Sequence, residues 1–395
     1  MPTRELVTDG EHRAALAVVR SLGRGGYELC VCGSGPAPLA AASRYARKVA
    51  PVLDPALDAS GFVEAVAGAA SAFRPEVLLP VAEASVLALL AYRERLMPAR
   101  IPYPPLSVVR CVCDKAAVLE AAASLRIPVP SQLRVAAPAD ADRAAAGVSG
   151  YPVAVKPARS LNPSHGRLVK GPTAYAAGPG ELQRLVASLP GEVFPVLVQQ
   201  CVVGQGTGVF LLRWEGRVLA VFAHRRVREK PPSGGVSVCC ESIAAAPMLV
   251  EQSLALLERL DWQGVAMVEY KVEAASGKPF LMEINGRFWG SLQLAVDAGV
   301  DLPAPLVAAA LDRRPGPVTE YRVGVRTRWW WGDADHLIAR LRYSPDVLGL
   351  PPGAPRRLRV ALDVLLPRRG QRNEVLRWDD PMPFLRETLN WIRRR

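Results

Sequence analysis

The residues best suited to chemistry lie on two apolar segments, 265–272 and 280–287. Glu269 lies in the first segment, and Glu283 and Asn285 lie two residues apart in the second. A glycine-containing turn joins the segments and predicts a β-hairpin, in which alternate residues of a strand point to the same face. Glu283 and Asn285 therefore share a face, and Glu269 lies across from them if the strands pair in the register that the turn suggests.

Oxygen donors in this arrangement predict a magnesium site. Mg²⁺ prefers oxygen ligands, commonly one or two carboxylates together with substrate phosphates. Without a cation, two neighbouring carboxylates would oppose each other's ionisation. Arg287 follows two residues after Asn285 and is placed to steady a phosphoryl group with its permanently charged guanidinium. The alternative is an exposed hairpin with solvated acids, which the flanking Val, Met, Phe and Ile residues disfavour.

The order Glu283-x-Asn285-x-Arg287, preceded by Glu269, resembles the metal-binding strands of the ATP-grasp superfamily. This superfamily includes biotin carboxylase, carbamoyl phosphate synthetase and D-alanine–D-alanine ligase. The resemblance covers about residues 1–310 and implies ATP and Mg²⁺, or Mn²⁺, as cofactors. It also implies that Glu269, Glu283 and Asn285 are the metal ligands.

Two lysines fit the same resemblance. The chain has seven lysines against 42 arginines, so a lysine in an apt position is informative. Lys115 opens a predicted helix at 114–125, and Lys156 lies in a predicted strand at 151–157. The superfamily commonly places phosphate-contacting lysines at both positions, and a compact ammonium suits phosphate oxygens. Either lysine alone would also suit an exposed surface.

The segment 196–204 is similar to the hinge that passes the adenine in this superfamily. The resemblance implies that backbone groups around Val202 and an amide from Gln199 or Gln200 contact the base. A plain buried strand is the alternative interpretation of these residues.

A basic segment at 223–237 resembles a substrate or triphosphate loop of loosely defined carboxylate–amine ligases. We predict that Arg226 and Arg228 act on the reacting anion. Gly234 and Gly235 give the flexibility needed to close over the nucleotide. The alternative is a solvated hairpin edge that its charges protect from pairing.

Two segments depart from the superfamily pattern. The phosphate loop is usually glycine-rich, but residues 159–166 contain one glycine and a proline. The acid that often binds the ribose hydroxyls is replaced by the sequence Gln-Gly-Thr-Gly at 205–208. Both differences concern how ATP is held, and neither concerns the metal cluster.

Alternating patterns in the first hundred residues predict a small parallel sheet covered by helices. The predicted strands are 4–8, 27–32 and 76–80, and the predicted helices are 13–22, 61–73 and 85–96. The glycine-containing loop at 33–35 lacks the complete dinucleotide fingerprint, so we interpret it as an ordinary strand-to-helix loop.

Proline-rich connections suggest three units in a mixed α/β and α+β fold. We expect an N-terminal parallel α/β domain at 1–105, a two-lobed ATP-grasp domain at 106–312 and a basic, Trp-rich C-terminal extension at 313–395. The middle section carries predicted strands with antiparallel pairing at 151–157, 196–202, 208–213, 217–223, 265–272 and 279–284.

The distribution of charge argues against a nucleic-acid partner. The net charge is +12, but residues 311–395 alone carry +8, so the main body offers no basic groove. This last stretch also holds five of the eight tryptophans. We expect these tryptophans to pack the extension onto its own protein; contact with an anionic membrane surface is the less favoured alternative.

The first twenty residues contain Asp9, Glu11, Arg13 and Arg20 where a signal peptide would be apolar, and no long uncharged apolar run is present. We therefore expect a cytoplasmic protein. The resemblance implies a ligase that activates a carboxylate as an acyl phosphate and joins it to an amine, both of them small molecules. A non-catalytic nucleotide-binding module and a carboxylase using bicarbonate are the alternatives, and the sequence leaves a homodimer open.

Overall fold

The computed structural model describes residues 2–345, 347–350, 353–366, 368 and 370–393. Strands and helices are mixed throughout, which confirms the predicted α/β and α+β class. Four β-sheets account for the strands in this described part of the chain.

The N-terminal section is a parallel sheet with helices on both faces, as predicted. Its elements are β1 (Arg4–Val7), α1 (Arg13–Arg24), β2 (Glu28–Gly33), β3 (Ala46–Pro51), α2 (Ala59–Phe73), β4 (Val77–Leu79), α3 (Glu83–Ala91) and α4 (Leu106–Val112). The strand order is β3-β2-β1-β4, with every pair parallel. The sequence did not predict β3, because this edge strand is charged and mostly exposed and so lacks an apolar pattern.

The middle section begins with a smaller lobe built on an antiparallel sheet in the order β5-β10-β6-β9. One face of this sheet packs on two helices, and the other is turned towards the larger lobe, whose apolar core Leu197 joins; we call the region between the two lobes the cleft. A separate two-stranded hairpin, β7–β8, begins in the predicted phosphate loop at 159–166 and ends at Val169. The elements are α5 (Lys115–Ser124), β5 (Gln132–Val135), α6 (Ala141–Gly147), β6 (Val153–Pro157), β7 (Asn162–Ser164), β8 (Arg167–Val169), β9 (Ala174–Ala176), α7 (Pro179–Ser188) and β10 (Val196–Gln200).

A seven-stranded sheet forms the larger lobe and continues into the C-terminal extension. Its order is β15-β14-β11-β12-β13-β16-β17, antiparallel except for the last pair. The elements are β11 (Gly204–Trp214), β12 (Arg217–Lys230), β13 (Val236–Ser242), α8 (Pro247–Arg259), β14 (Gly264–Glu273), β15 (Pro279–Asn285), α9 (Leu292–Ala298), α10 (Pro303–Ala310), β16 (Arg326–Arg328), α11 (Trp330–Arg342), α12 (Arg357–Leu365), β17 (Arg372–Asn373) and α13 (Met382–Arg393).

Alternation along the strands divides the main core into two layers. On β11, Val209 and Leu211 join one cluster, and Phe210 and Leu212 join the other. Each cluster also contains residues of the N-terminal parallel sheet, so the apolar core is continuous across position 105. The domain boundaries near 105 and 312 stay predictions.

The C-terminal extension packs back onto the N-terminal section. Arg20 on α1 is fully buried and donates to Asp380 at 2.8 Å and to the backbone carbonyls of Glu374, Val375 and Asp380. The side chains of Trp329 and Trp331 donate to residues of α13. The extension is thus joined to the large sheet by the pairing of β16 with β13, and to α1 by the segment before α13.

No single helix among the described residues has the length and apolar character needed to cross a bilayer. One pair, α9 and α10, meets these requirements together on length and composition alone, with a bend of 96° between its helices.

Candidate active site

The β14–β15 hairpin pairs Glu269 directly with Glu283. Opposite residues of an antiparallel pair project to the same face, so the two carboxylates are neighbours. Asn285 donates its side-chain amide to Glu283 Oε1 at 3.1 Å, and Arg287 donates to Asn285 Oδ1 at 3.1 Å. The structure thus brings together the four residues that the sequence singled out on this hairpin.

Cations from other elements approach both carboxylates. Lys115 Nζ lies 3.4 Å from Glu283 Oε2 and donates to Ser160 Oγ at 2.9 Å. Arg226 on β12 donates to Glu269 across the intervening strand β11. Each acid therefore has its own basic partner, and the two partners come from opposite sides of the hairpin, Lys115 from α5 beside β15 and Arg226 from β12.

These surroundings shift the pKa values of the two acids in opposite directions. Burial raises the pKa of Glu269, against the opposing effect of Arg226. Burial acts in the same sense on Glu283, but Lys115, Lys156 and the hydrogen bond from Asn285 outweigh it and lower its pKa. Since a neighbouring carboxylate disfavours ionisation, a bound cation is the natural way to charge both acids fully.

The donor set fits a magnesium ion that also binds phosphate. Glu269 and Glu283 would supply carboxylate oxygens and Asn285 an amide oxygen, a combination suited to a hard cation. No group of three or more His, Cys, Asp or Glu side chains in the described part of the chain is arranged to hold a metal by itself. Phosphate oxygens and water would complete the coordination, as is usual for Mg²⁺.

Both predicted nucleotide lysines face this cleft. Lys115 is the first residue of α5, and its backbone N–H donates to the carbonyl of Ala158, just beyond β6. Lys156 lies on β6, where burial lowers its pKa while Glu283 opposes that shift. Lys271 on β14 also acts on Lys156 electrostatically. Sequence reasoning missed Lys271, although it follows Glu269 by two residues and so shares its face.

The predicted hinge residues differ in orientation. Gln199 pairs with Ala154, shares a face with Lys156 and donates its side-chain amide to Gln132 at 3.2 Å. Gln200 is exposed on the other side of the strand. Val202 is buried just beyond the end of β10. Gln199, and not Gln200, therefore lies on the same side of the sheet as Lys156, and the contacts of Gln199, Gln200 and Val202 with a base stay predictions.

Arg228 does not share the cleft with Arg226. It forms two hydrogen bonds of 2.7 Å with the fully buried Asp333 of the extension. A β-bulge explains the separation: Arg226 pairs with Cys240 and Arg228 with Cys239, so the two arginines lie opposite adjacent residues of β13. Regular alternation would have placed both on one face, but the extra residue turns Arg228 to the other face. Arg228 thus lies away from Glu269 and Arg226, and its predicted action on the reacting anion stays a prediction that this geometry does not support.

The basic segment at 223–237 is mostly strand rather than loop. Residues up to Lys230 belong to β12, and the turn is limited to 231–235. Gly234 has a φ of +136°, and the carbonyl of Gly235 accepts a hydrogen bond from Arg226 at 3.3 Å. Both glycines thus lie in the turn beside Arg226.

The Gly-Thr-Gly departure on β11 has a steric explanation. A Cβ at Gly206 would lie 3.0 Å from Cδ of Arg226. The missing side chain leaves room for Arg226 to pass over β11 towards Glu269. The sequence alone could not assign this role, because it depends on which strand lies beside β11.

Glu83 is a second residue that sequence reasoning missed. It begins α3 at the carboxyl edge of the parallel sheet, and it lines a small cavity with Asn285, Gly286 and Arg287. Asp9 fixes this turn by accepting backbone N–H groups of Val81 and Ala82, each at 2.9 Å.

Burial raises the pKa of Glu83, although Arg287 and Lys115 oppose that shift. Its position could have been found from the strand order, because the chain reverses direction across the sheet between β1 and β4. Such a switch point is where parallel sheets bind ligands.

Comparisons with known proteins agree with this architecture. Residues 192–331 match a protein-family model described as ATP-grasp in the biosynthetic pathway with Ter operon. A search of curated protein sequences gave no match.

Several solved structures share the fold. L-amino acid ligase from Bacillus licheniformis superposes with a TM-score of 0.61 at 15% identity, covering 79% of this chain and 75% of that chain. N5-carboxyaminoimidazole synthetase from Staphylococcus aureus gives 0.63 at 14% identity, covering 82% of each chain. Biotin carboxylase from Campylobacter jejuni gives 0.64 at 15% identity, covering 82% of this chain and 74% of that chain. These findings confirm the resemblance to ATP-grasp ligases, whose fold this chain has.

Proposed function

Since the chain has the fold of ATP-grasp ligases, we propose that it uses Mg-ATP to activate a small carboxylate and join it to an amine. The observation that carries the proposal is the opposed pair Glu269 and Glu283, with Lys115, Arg226 and Arg287 around it. A buried site with this charge pattern suits a metal ion and a polyphosphate better than it suits an uncharged ligand.

The proposed role of each residue follows from its position in the site. Lys115, Lys156 and Lys271 neutralise phosphate oxygens in the cleft, and Gln199 faces the nucleotide from β10. Arg287 steadies the phosphoryl group during transfer. When bound, Mg²⁺ supplies charge neutralisation at the phosphates, held by Glu269, Glu283 and Asn285. Positioning and electrostatics provide most of the rate enhancement in this class of reaction.

The proposed reaction takes place in two steps. A substrate carboxylate oxygen attacks the γ-phosphorus of ATP, the bond to the β-phosphate oxygen breaks, and ADP leaves. The amine nitrogen then attacks the acyl carbon, the C–N bond forms, the C–O bond to phosphate breaks, and the amine loses a proton. The products are an amide, ADP and phosphate.

The identities of the acid and the amine stay open. The similar structures are named for different compounds, an L-amino acid that one of them ligates and a carboxyaminoimidazole that another makes. At 14–15% sequence identity, these names do not indicate the substrate of this chain. Residues of the N-terminal section near Glu83 and of β12 near Arg226 border the site and are the first candidates for substrate contact.

Substitution of one metal ligand tests the proposal. Full-length protein is incubated with Mg-ATP, a pool of carboxylates and hydroxylamine, which traps an acyl phosphate as a hydroxamate. We expect hydroxamate and ADP in equal amounts. Glu283→Gln lowers this rate by about 100-fold or more, because a charged metal ligand is lost. Glu273→Gln changes an acid on the same hairpin, bonded only locally to Ser276, and keeps the wild-type rate.

Three other outcomes would contradict parts of this proposal. Full turnover by Glu283→Gln contradicts the metal assignment. Calorimetric binding of Mg-ATP without ADP release from any pool favours a non-catalytic nucleotide-binding module. ATP hydrolysis that requires both biotin and bicarbonate favours a carboxylase.

A further inference from the structure

Helix α12 leaves a row of leucines uncovered. Leu358, Leu362 and Leu365 are 73%, 49% and 68% exposed. Val360 and Val364, on another side of the same helix, are buried against the protein. The helix is therefore attached through its valines, and in the described part of the chain no residue covers its leucines.

The exposed leucines form one continuous stripe. At about 100° per residue, Leu358, Leu362 and Leu365 fall within an arc of about 60°. Leu366 directly follows the helix and is also exposed, at 63%. We call these four residues the leucine face. Monomeric proteins seldom leave large aliphatic side chains grouped in this way, so such a face indicates an interaction surface.

Arginines border the leucine face. Arg356, Arg357 and Arg359 are exposed, and Arg357 donates to the carbonyl of Tyr343 at 2.9 Å. The acid of this helix, Asp363, has a partner of its own in Arg368 at 3.6 Å. The edges of the face are thus strongly cationic, in the stretch that carries most of the chain's net positive charge.

The charge pattern indicates which kind of partner binds the leucine face. A second copy docked through a two-fold axis would place the same arginines against each other, which disfavours self-association. An anionic surface would meet the arginines favourably while the leucines enter an apolar layer. Aliphatic side chains on one face, with arginines at the border, are typical of helices that lie in a membrane interface.

We propose that the leucine face docks this protein reversibly on an anionic lipid bilayer. Trp329 and Trp331, two of the tryptophans for which the sequence left membrane contact as the less favoured alternative, are engaged with α13. The attachment lies outside the active-site cleft and is independent of the reaction proposed above.

Vesicle flotation of the full-length protein tests this proposal. The probes are vesicles of equal parts phosphatidylglycerol and phosphatidylcholine, and vesicles of phosphatidylcholine alone. We expect binding to the anionic vesicles that weakens as salt is raised. Replacing Leu358, Leu362 and Leu365 together by Ser lowers the partition coefficient by about tenfold or more. Arg357→Gln with Arg359→Gln also weakens binding and reduces its salt dependence.

A matched control distinguishes loss of the leucine face from a general increase in surface polarity. Val49, Leu57 and Met97 are exposed apolar residues of the N-terminal section, and their joint replacement by Ser leaves vesicle binding unchanged. Circular dichroism verifies that each variant is folded. Equal binding by wild type and the leucine variant overturns the proposal, as does absence of wild-type binding. A wild-type dimer in light scattering that the leucine variant converts to a monomer assigns the face to a second copy instead.

Discussion

Buried carboxylates in this protein differ in the partners they have. Asp9 accepts hydrogen bonds from two backbone N–H groups and from the hydroxyls of Thr8 and Ser85. Glu5 is fully buried on β1, and neither carboxylate oxygen has a hydrogen-bond partner among the described residues. Burial, with a smaller contribution from Glu76, raises the pKa of Glu5 to about 9. Burial without hydrogen-bond partners favours the protonated form of this carboxyl group in the folded protein.

Glu5 therefore makes the free energy of unfolding depend on pH. Between the ordinary value of 4.5 and about 9, the folded chain keeps a proton that the unfolded chain releases, so stability falls as pH rises through this range. Glu5→Gln removes this loss. At pH 8 the variant should be more stable than wild type by at least about 1.4 kcal/mol, the equivalent of one pKa unit, with a smaller difference at pH 5.

Urea denaturation at several pH values measures this difference. Glu76→Gln is the control; Glu76 directly precedes β4, the strand beside β1, and its effect should be smaller because Glu76 is exposed. A difference between Glu5→Gln and wild type that is the same at pH 5 and pH 8 would count against the assignment.

At the scale of elements, the bulge in β12 decides which arginine serves the site. It places Arg226 beside Glu269 and Arg228 beside Asp333. Arg226→Gln should lower kcat/KM by about 10- to 100-fold, because positive charge is lost where phosphate binds. Arg228→Gln should keep activity and lower the free energy of unfolding by about 2–3 kcal/mol, because a buried acid loses one of its two basic partners.

Each variant serves as the control for the other, because both replace an arginine by glutamine and the two positions are only two residues apart. Steady-state kinetics and urea denaturation on both proteins measure the contrast. If Arg228→Gln lost activity as severely as Arg226→Gln while remaining fully stable, the proposed difference in role would be wrong.

At the scale of the whole molecule, α1 is joined to the segment before α13 by two ion pairs of different burial. The pair of Arg20 with Asp380 is fully buried, and the pair of Arg24 with Asp379 is about half exposed. Removal of one partner of a buried, hydrogen-bonded pair leaves an uncompensated charge. Solvent screens the exposed pair, which contributes little.

Arg20→Leu should lower the free energy of unfolding by about 3–5 kcal/mol, whereas Arg24→Leu should lower it by less than about 1 kcal/mol. Because Arg20 also binds three carbonyls of this segment, its loss should release the end of the extension to proteases. Chemical denaturation and limited proteolysis with mass spectrometry test both expectations. Equal stability of the two variants would contradict this account.

The sequence by itself determined the features that depend on local chemistry. The hairpin carrying Glu269 and Glu283 follows from apolar strands around a glycine turn, and the period of two places Glu283 and Asn285 on one face. About half of the strands and helices of the first 310 residues also followed from such patterns, although β12 continues to Lys230, beyond its predicted end at 223. These features rest on neighbours in the chain, which a sequence displays directly.

Only the tertiary structure decided which distant residues complete the site. Glu83 and Arg287 line one cavity because the parallel sheet is packed against the hairpin. Arg226 reaches Glu269 because β11 lies between their strands with a glycine at the crossing point. The bulge that removes Arg228 from the site depends on pairing with β13. Such contacts join residues tens to hundreds of positions apart. They are fixed by packing and strand order rather than by any local pattern.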